Sequence, residues 1–164
     1  MKIDQTYEGL KRLDDGCYVL EGDLISDDDI EICLDNTLFV NGRIEAGDGI
    51  KAGCGIEAGC GIEAGCGIKA GCGIEAGWGI KAGCGIEARY GIKAGWGIEA
   101  RYGIKAGCGI KAGTFIHSEK RIFAGISVYE TSETCIKTIK CQELRKGEIA
   151  YGELIIAGGN DGNE

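Results

Sequence analysis

A six-residue unit, Ile-(Glu/Lys)-Ala-Gly-x-Gly, recurs in an unbroken frame from residue 44 to residue 115. The Ile-x-Ala triplet alternates apolar and charged residues, which is the period of a half-buried β-strand. A six-residue period cannot keep one apolar stripe on an α-helix, and two glycines in most units disfavour a helix further. Short strands of equal length that are joined by glycine corners predict an all-β fold, a parallel β-solenoid.

The length of one coil follows from residues that recur every third unit. Three six-residue sides make a coil of eighteen residues, and the only two tryptophans, Trp78 and Trp96, are eighteen residues apart. A three-sided solenoid therefore stacks these two indoles on neighbouring coils. The same spacing predicts three charge columns: Glu45-Glu63-Lys81-Glu99, Lys51-Lys69-Glu87-Lys105 and Glu57-Glu75-Lys93-Lys111.

The repeat extends beyond its regular part. Ile32 and Leu38 lead to Ile44 in steps of six, and Ile116, Ile122 and Val128 continue the step. We therefore divide the chain into an N-terminal cap with its first strands (1–31), a solenoid of about five coils (32–128) and a C-terminal β-rich cap or dimerisation segment with a short tail (129–164). The handedness of the coil does not follow from the sequence.

The hexads resemble those of hexapeptide-repeat β-helices. The stretch from Leu38 to Gly47, LFVNGRIEAG, is most similar to the bactofilin-type solenoids that form polymers, and the resemblance covers about residues 19–128. It implies a fold, and a self-assembling structural role as one possible function. Repeats of the GIKAG/GIEAG type also resemble uncharacterised proteins of gut Firmicutes and their mobile elements, which implies a phage or host-defence setting. The chain resembles hexapeptide acyltransferases less closely. Their repeat has a small residue at the inward position that holds Trp or Tyr in several hexads of this chain.

The fifth position of the hexad varies most. It holds Cys in six units and an aromatic residue in four, namely Trp78, Tyr90, Trp96 and Tyr102. Strict strand alternation places this position inside, and frequent Cys agrees with burial. The exchange of Cys for Trp without a compensating change in Ile or Ala favours a partly exposed corner instead, because a packed core responds to such volume changes. Both orientations remain open from the sequence.

An outward orientation turns these positions into a candidate binding site. Arg89 and Arg101 replace glycine beside the two tyrosines. Aromatic and arginine side chains are the common anchors of protein interfaces. The candidate site therefore comprises Trp78, Arg89, Tyr90, Trp96, Arg101 and Tyr102. In the alternative interpretation the aromatic residues fill a wider stretch of the core.

The charge distribution and the hydropathy of the chain argue against two classes of partner, nucleic acids and membranes. The net charge is −8, of which −7 lies in residues 1–43, whereas residues 44–115 carry +1. A nearly neutral repeat and an acidic N-terminal region argue against direct binding of nucleic acid. No apolar run is long enough for a membrane span, and the first residues do not resemble a signal peptide. We expect a cytoplasmic protein, in a bacterial cell or an infected host, that does not bind a membrane.

Neither metal nor catalytic chemistry has a motif in this chain. The ten cysteines contain no Cys-x-x-Cys pair, and His117 is the only histidine. We therefore expect no metal, no cofactor and no enzymatic activity, and we expect His117 to join the charge column above Glu99. Stacked pairs such as Cys54 with Cys72, or Cys66 with Cys84, lie within possible disulfide reach. In a cytoplasmic protein, cysteines at these positions are instead expected to be small apolar fillers.

The open ends of a solenoid need a cover, since they present unpaired strand edges. Residues 135–141 and 148–156 have the pattern of strands, and strand edges at this end are suited to strand addition. The sequence therefore predicts a homodimer through the C-terminal end. The favoured function is non-catalytic binding of a protein partner of unknown identity, for example inhibition of a bacterial defence system such as a CRISPR nuclease. The alternatives are a self-assembling, cytoskeletal bactofilin-like protein and, less favoured, a hexapeptide acyltransferase.

Overall fold

Each Ile-x-Ala triplet forms one three-residue strand, and the glycines between triplets form the corners. The structure, a computed structural model, describes residues 1–125 and 137–157. Within those residues the chain is built from β-strands. They are β1 (Lys2–Ile3), β2 (Lys11–Arg12), β3 (Tyr18–Leu20), β4 (Leu24–Ser26), β5 (Ile30–Ile32), β6 (Leu38–Val40), β7 (Ile44–Ala46), β8 (Ile50–Ala52), β9 (Ile56–Ala58), β10 (Ile62–Ala64), β11 (Ile68–Ala70), β12 (Ile74–Ala76), β13 (Ile80–Ala82), β14 (Ile86–Ala88), β15 (Ile92–Ala94), β16 (Ile98–Ala100), β17 (Ile104–Ala106), β18 (Ile110–Ala112), β19 (Phe115–Ala124), β20 (Thr138–Cys141), β21 (Glu143–Tyr151) and β22 (Glu153–Ile156).

From β3 to β18 every third strand stacks in parallel, which gives the solenoid three faces, and β2 is antiparallel to β3 at the N-terminal end. Face 1 contains β4, β7, β10, β13 and β16, face 2 contains β1, β5, β8, β11, β14 and β17, and face 3 contains β2, β3, β6, β9, β12, β15, β18, β20 and β22. The ten-residue strand β19 bends from face 1 onto face 2 and joins them into one sheet, and β21 pairs with it. The prediction of a three-sided parallel β-solenoid with strand caps is confirmed, with about seven turns.

The register shows the eighteen-residue period directly. Ile62 pairs with Ile80, and Ile74 pairs with Ile92. The three charge columns are confirmed along their whole length by the same ladders, and His117 lies above Glu99 as predicted. Because the side chains alternate along each strand, the Ile and Ala of every triplet point inward and form one continuous buried core.

The coil formed by β4, β5 and β6 is two residues longer than the regular ones. Leu24 pairs with Ile44 and Ile30 with Ile50, an offset of twenty residues. The extra residues lie between β5 and β6, where Tyr18 donates a hydrogen bond of 2.6 Å from its hydroxyl to Asp35. The prediction that Ile32 heads a hexad is therefore wrong, since Ile32 pairs with Ala52 and Ile30 takes the isoleucine position.

The last coils depart from the step of six as well. Ile116 and Ile122 stack on Ile98 and Ile104 as expected. Val128 and Cys135 lie outside the described residues, and Ile139 occupies the place above Ile110. Strands expected as a C-terminal cap thus continue the coil, which is why the solenoid has more turns than the hexads alone predict.

The glycine at the fourth position of the hexad allows neighbouring coils to approach each other. A Cβ atom built on Gly71 would lie 1.9 Å from the carbonyl oxygen of Gly53 in the coil below, and one on Gly77 would lie 2.1 Å from that of Gly59. Arg89 and Arg101 occupy the same position, and there the backbone hydrogen bond to the coil below lengthens to 3.3 Å from the 2.8–3.1 Å found at the glycines. A side chain at this position therefore costs some of the inter-coil contact.

We expect Gly71→Ala to lower the free energy of unfolding by about 1–3 kcal/mol, because the new methyl group forces the coils apart. The matched control is Gly53→Ala on the same corner, whose Cβ would lie 3.7 Å from the nearest atom. Its effect should stay below about 1 kcal/mol. Urea unfolding followed by circular dichroism measures both variants, and equal losses of stability would contradict the close-approach argument.

Candidate functional site

The fifth position of each hexad lies on a corner and points outward. Trp78 is 64% exposed and Trp96 56% exposed, so the outward alternative is correct and the core-filling interpretation is wrong for the aromatic residues. Cysteines at this position are exposed or half-buried, and of the nine cysteines described only Cys141 is fully buried. The prediction that they are buried apolar fillers therefore fails on the corners. A turn that carries a side chain away from the core explains why Cys and Trp can be exchanged there.

Backbone hydrogen bonds between fifth positions define three corners. The Trp corner, between faces 3 and 1, carries Gly42, Cys60, Trp78, Trp96 and Thr114. The Tyr90 corner, between faces 2 and 3, carries Cys54, Cys72, Tyr90 and Cys108. The Tyr102 corner, between faces 1 and 2, carries Asp48, Cys66, Cys84 and Tyr102.

The six candidate residues therefore do not form one patch. Trp78 and Trp96 stack on the Trp corner, with ring centroids 6.4 Å apart and an angle of 29° between the ring planes. Tyr90 with Arg89, and Tyr102 with Arg101, lie on the other two corners. The expectation of a single aromatic–arginine patch is wrong because only residues eighteen apart share a corner. Whether any of the six binds a partner stays a prediction.

A groove runs beside the tryptophans along the first edge of face 1, and we call it the Trp groove. It has a volume of about 510 Å³. Gly61, Gly79 and Gly97 form its floor, because the sixth position of the hexad has no side chain there. Its lining comprises Arg43, Ile44, Glu45, Cys60, Gly61, Ile62, Glu63, Trp78, Gly79, Ile80, Lys81, Trp96, Gly97, Glu99 and Phe115.

Phe115 closes the C-terminal end of the Trp groove. A Cβ atom on Gly97 would lie 2.5 Å from the Phe115 ring, so the ring rests against the bare backbone of Gly97. The Arg145 guanidinium covers the ring from outside, 3.6 Å from its centroid. Phe115 is not among the site residues predicted from the sequence, although the sequence contains a signal: Phe115 is the only residue other than glycine at the sixth position between residues 44 and 115.

A larger groove, of about 1490 Å³, runs along face 2 beside Gly49, Gly67, Gly85 and Gly103. Its charged walls are largely paired within the chain. Lys69 and Lys105 both contact Glu87, at 3.5 and 3.3 Å, and Lys146 contacts Glu119 at 2.6 Å. The face 2 groove is the larger of the two, but most of its charged side chains already have partners. The Trp groove is the better candidate site, because two exposed indoles form one of its walls.

Most neighbours of opposite sign in the charge columns form ion pairs, with Lys81 and Glu99 as the exception. Lys81 lies 3.3 Å from Glu63, and Lys93 pairs with Glu75, which raises the pKa of Lys93. Glu57 faces the like-charged Glu75, and burial followed by that charge raises the pKa of Glu57. Exposed pairs of this kind contribute little to stability.

The cysteine pairs on the corners are thiols. Burial, and then the neighbouring Cys72, raises the pKa of Cys54, and burial followed by Cys84 raises that of Cys66. A raised pKa lowers the thiolate fraction and with it the reactivity of the sulfur. Among residues 1–125 and 137–157, no group of three or more His, Cys, Asp or Glu side chains is arranged to hold a metal ion.

Comparisons with family models, with curated proteins and with solved structures gave no match to this chain. The parallel β-solenoid that the repeats predict is confirmed, and the resemblances to hexapeptide-repeat, bactofilin-like and GIKAG/GIEAG-repeat proteins stay predictions. In the part of the chain that the structure describes, no helix is long and apolar enough to span a membrane.

Two indoles held at the observed distance interact electronically, and this can be measured. We expect an exciton couplet in the far-ultraviolet circular dichroism of the protein, because Trp78 and Trp96 are the only tryptophans and their rings are stacked. Trp78→Phe or Trp96→Phe should each abolish the couplet, while Tyr90→Phe, on another corner, should preserve it. Loss of the couplet in Tyr90→Phe, or its persistence in both Trp variants, would show that the indoles are not stacked.

Proposed function

We propose that this protein is a non-catalytic β-solenoid that binds a protein partner through the Trp corner and the Trp groove. The observation that carries the proposal is the pair of stacked, more than half-exposed indoles beside a glycine-floored groove. Solvent exposure of two large aromatic rings is unfavourable in an isolated protein, and tryptophan is one of the side chains enriched among interface anchors. A rigid array of stacked strands holds both rings in place, so little conformational entropy is lost on binding.

An inhibitory role, for instance toward a nuclease of a bacterial defence system, is one version of this proposal. Its support is the resemblance of the repeats to mobile-element proteins and the acidity of residues 1–43, which carry a net charge of −7. An acidic surface favours a partner with a basic surface, as proteins that bind nucleic acid have. We place the binding protein in the cytoplasm under the same proposal.

Affinity capture tests the binding role. The immobilised protein should recover a specific set of host proteins, and the double variant Trp78→Ala/Trp96→Ala should lose at least tenfold of that recovery, as expected for hot-spot residues that each contribute about 2 kcal/mol or more. The double variant Tyr90→Ala/Tyr102→Ala removes the same number of exposed aromatic rings from the other two corners and should retain it. Quantitative mass spectrometry compares the three baits. Equal recovery by all three would remove the basis of the proposal.

A second role, self-association through the C-terminal end, is favoured by a separate observation. The isoleucine columns of the core end in Leu144, Ile149 and Leu154, which stack on Ile116, Ile122 and Ile139. Leu154 is 37% exposed and Ile156 45% exposed, although both continue columns whose previous members are fully buried. Tyr7 and Leu10 at the N-terminal end, and Leu144 and Ile149 at the C-terminal end, are partly buried against the core. Repeat proteins need polar caps for solubility, so an apolar last layer is suited to contact with a second copy.

We expect the protein to be a dimer in solution, because Leu154 and Ile156 leave apolar side chains exposed on β22, the last described strand of face 3. Leu154→Glu should shift it to monomer by placing a charge in the apolar layer. The control is Ile25→Glu, which changes an exposed isoleucine on β4 near the opposite end. Analytical ultracentrifugation across a range of concentrations measures the mass. A wild-type monomer would refute the dimer, and an open-ended polymer would favour the structural, bactofilin-like alternative.

A further inference from the structure

The two walls of the Trp groove differ in chemistry. One wall is the indole pair, and the other is the charge column of face 1, which contains three glutamates and Lys81. Arg43 lies 3.4 Å from Glu45, and Lys81 lies 3.3 Å from Glu63. In the described ranges, 1–125 and 137–157, no ion pair involves the carboxylate of Glu99. Lys81 is also the ladder neighbour of Glu99. Three glutamates against Arg43 and Lys81 nevertheless leave the lining of the groove with one negative charge in excess.

Trp96 on the Trp corner and Glu99 on face 1 flank the groove, separated in sequence by Gly97 and Ile98. Gly97 has no side chain, and Phe115 closes the groove just beyond it. An aromatic face opposite an unpaired carboxylate suits the side chain of arginine or lysine. The ring attracts the cation, and the carboxylate accepts a charge-assisted hydrogen bond.

The spacing of the indoles fits an extended polypeptide. Side chains on one side of an extended chain recur every second residue, at about 6.6 Å. The centroids of Trp78 and Trp96 are 6.4 Å apart. Two side chains that are two residues apart in a bound segment can therefore each meet one indole.

We propose that the Trp groove binds an extended polypeptide segment with an arginine or lysine between Trp96 and Glu99 and an apolar side chain two residues away on Trp78. This inference rests on the proposed protein-binding function and adds the chemistry of the recognised segment. A neutral oligosaccharide is the other common ligand of an aromatic groove, but it has no cationic group that could pair with the carboxylate of Glu99. The charge of the groove therefore favours the basic peptide.

The intrinsic fluorescence of the protein tests this inference without a label, because its only two tryptophans line the groove. The probe is a capped serine peptide in which leucine and arginine stand two positions apart. Two matched peptides carry citrulline or glutamate in place of arginine. We expect the arginine peptide to change the emission saturably, and the citrulline and glutamate peptides to bind at least about tenfold more weakly.

The variant arm uses Glu99→Gln, which should weaken the arginine peptide about tenfold while leaving the citrulline peptide unchanged. Its control is Glu57→Gln, which makes the same change of charge at the same hexad position on face 3 and should have no effect. The far-ultraviolet couplet of the indoles shows whether Glu99→Gln preserves the corner, and Glu99→Asp, which retains the charge, should recover part of the binding.

Equal affinity for the arginine and glutamate peptides, or no response to either, would overturn the inference. So would a saturable response to cello- or chito-oligosaccharides that is insensitive to Glu99→Gln, since it would identify a carbohydrate site. If capture of the partner depends on Trp78 and Trp96 but is not competed by the arginine peptide, the binding function stands and only the basic segment is refuted. If capture does not depend on the tryptophans, the proposed function itself fails.

Discussion

The close approach of successive backbones at the corners is the constraint on which the rest of the structure depends. At the fourth position of most hexads only a hydrogen atom fits above the carbonyl oxygen of the coil below, as the distances at Gly71 and Gly77 show. This contact sets the stacking distance of the corners, and the three-residue strands between them then pair in register. Strands of three residues would be marginal in isolation, so their stability comes from the ladder and from the shared core.

This constraint separates the residues that fold the chain from those that face other molecules. Isoleucine and alanine fill the interior, and glycine sets the corner. The second and fifth positions of the hexad remain outside, so Glu99 and Trp96 can vary without a change in the core. The outward side chains can therefore differ from hexad to hexad while the isoleucine and alanine core stays the same, which is the common arrangement in repeat proteins.

The sequence predicted the coil because its period was free of interruption. Registers such as Ile62 with Ile80 follow from counting by eighteen residues. The six-residue period gives the wrong register at the two extra residues after β5. Ile32 and Leu38 are six residues apart and so match the period by coincidence, although Ile32 pairs with an alanine. The direction of the fifth side chain could not be derived, because a corner interrupts the alternation that holds within a strand.

The candidate site was predicted only in part. The stacking of Trp78 on Trp96 follows from their spacing of eighteen residues, and the position of Tyr90 and Tyr102 on separate corners follows from their spacing of twelve residues. The role of Phe115 depends on a ring lying over bare backbone, and the unpaired state of Glu99 depends on which neighbours reach each other across coils. Neither is encoded in periodicity.

The three-sided register also determines how this surface can change over evolutionary time. A duplication or loss of eighteen residues adds or removes one complete coil, and every later side chain stays on the same corner or face. A gain or loss of a single hexad between Trp78 and Trp96 would carry the second indole around to a different corner, although the core would look the same. A change in repeat number thus preserves the pattern of isoleucine and alanine in the core, but it moves the later outward side chains to other corners unless three hexads, or a multiple of three, are gained or lost.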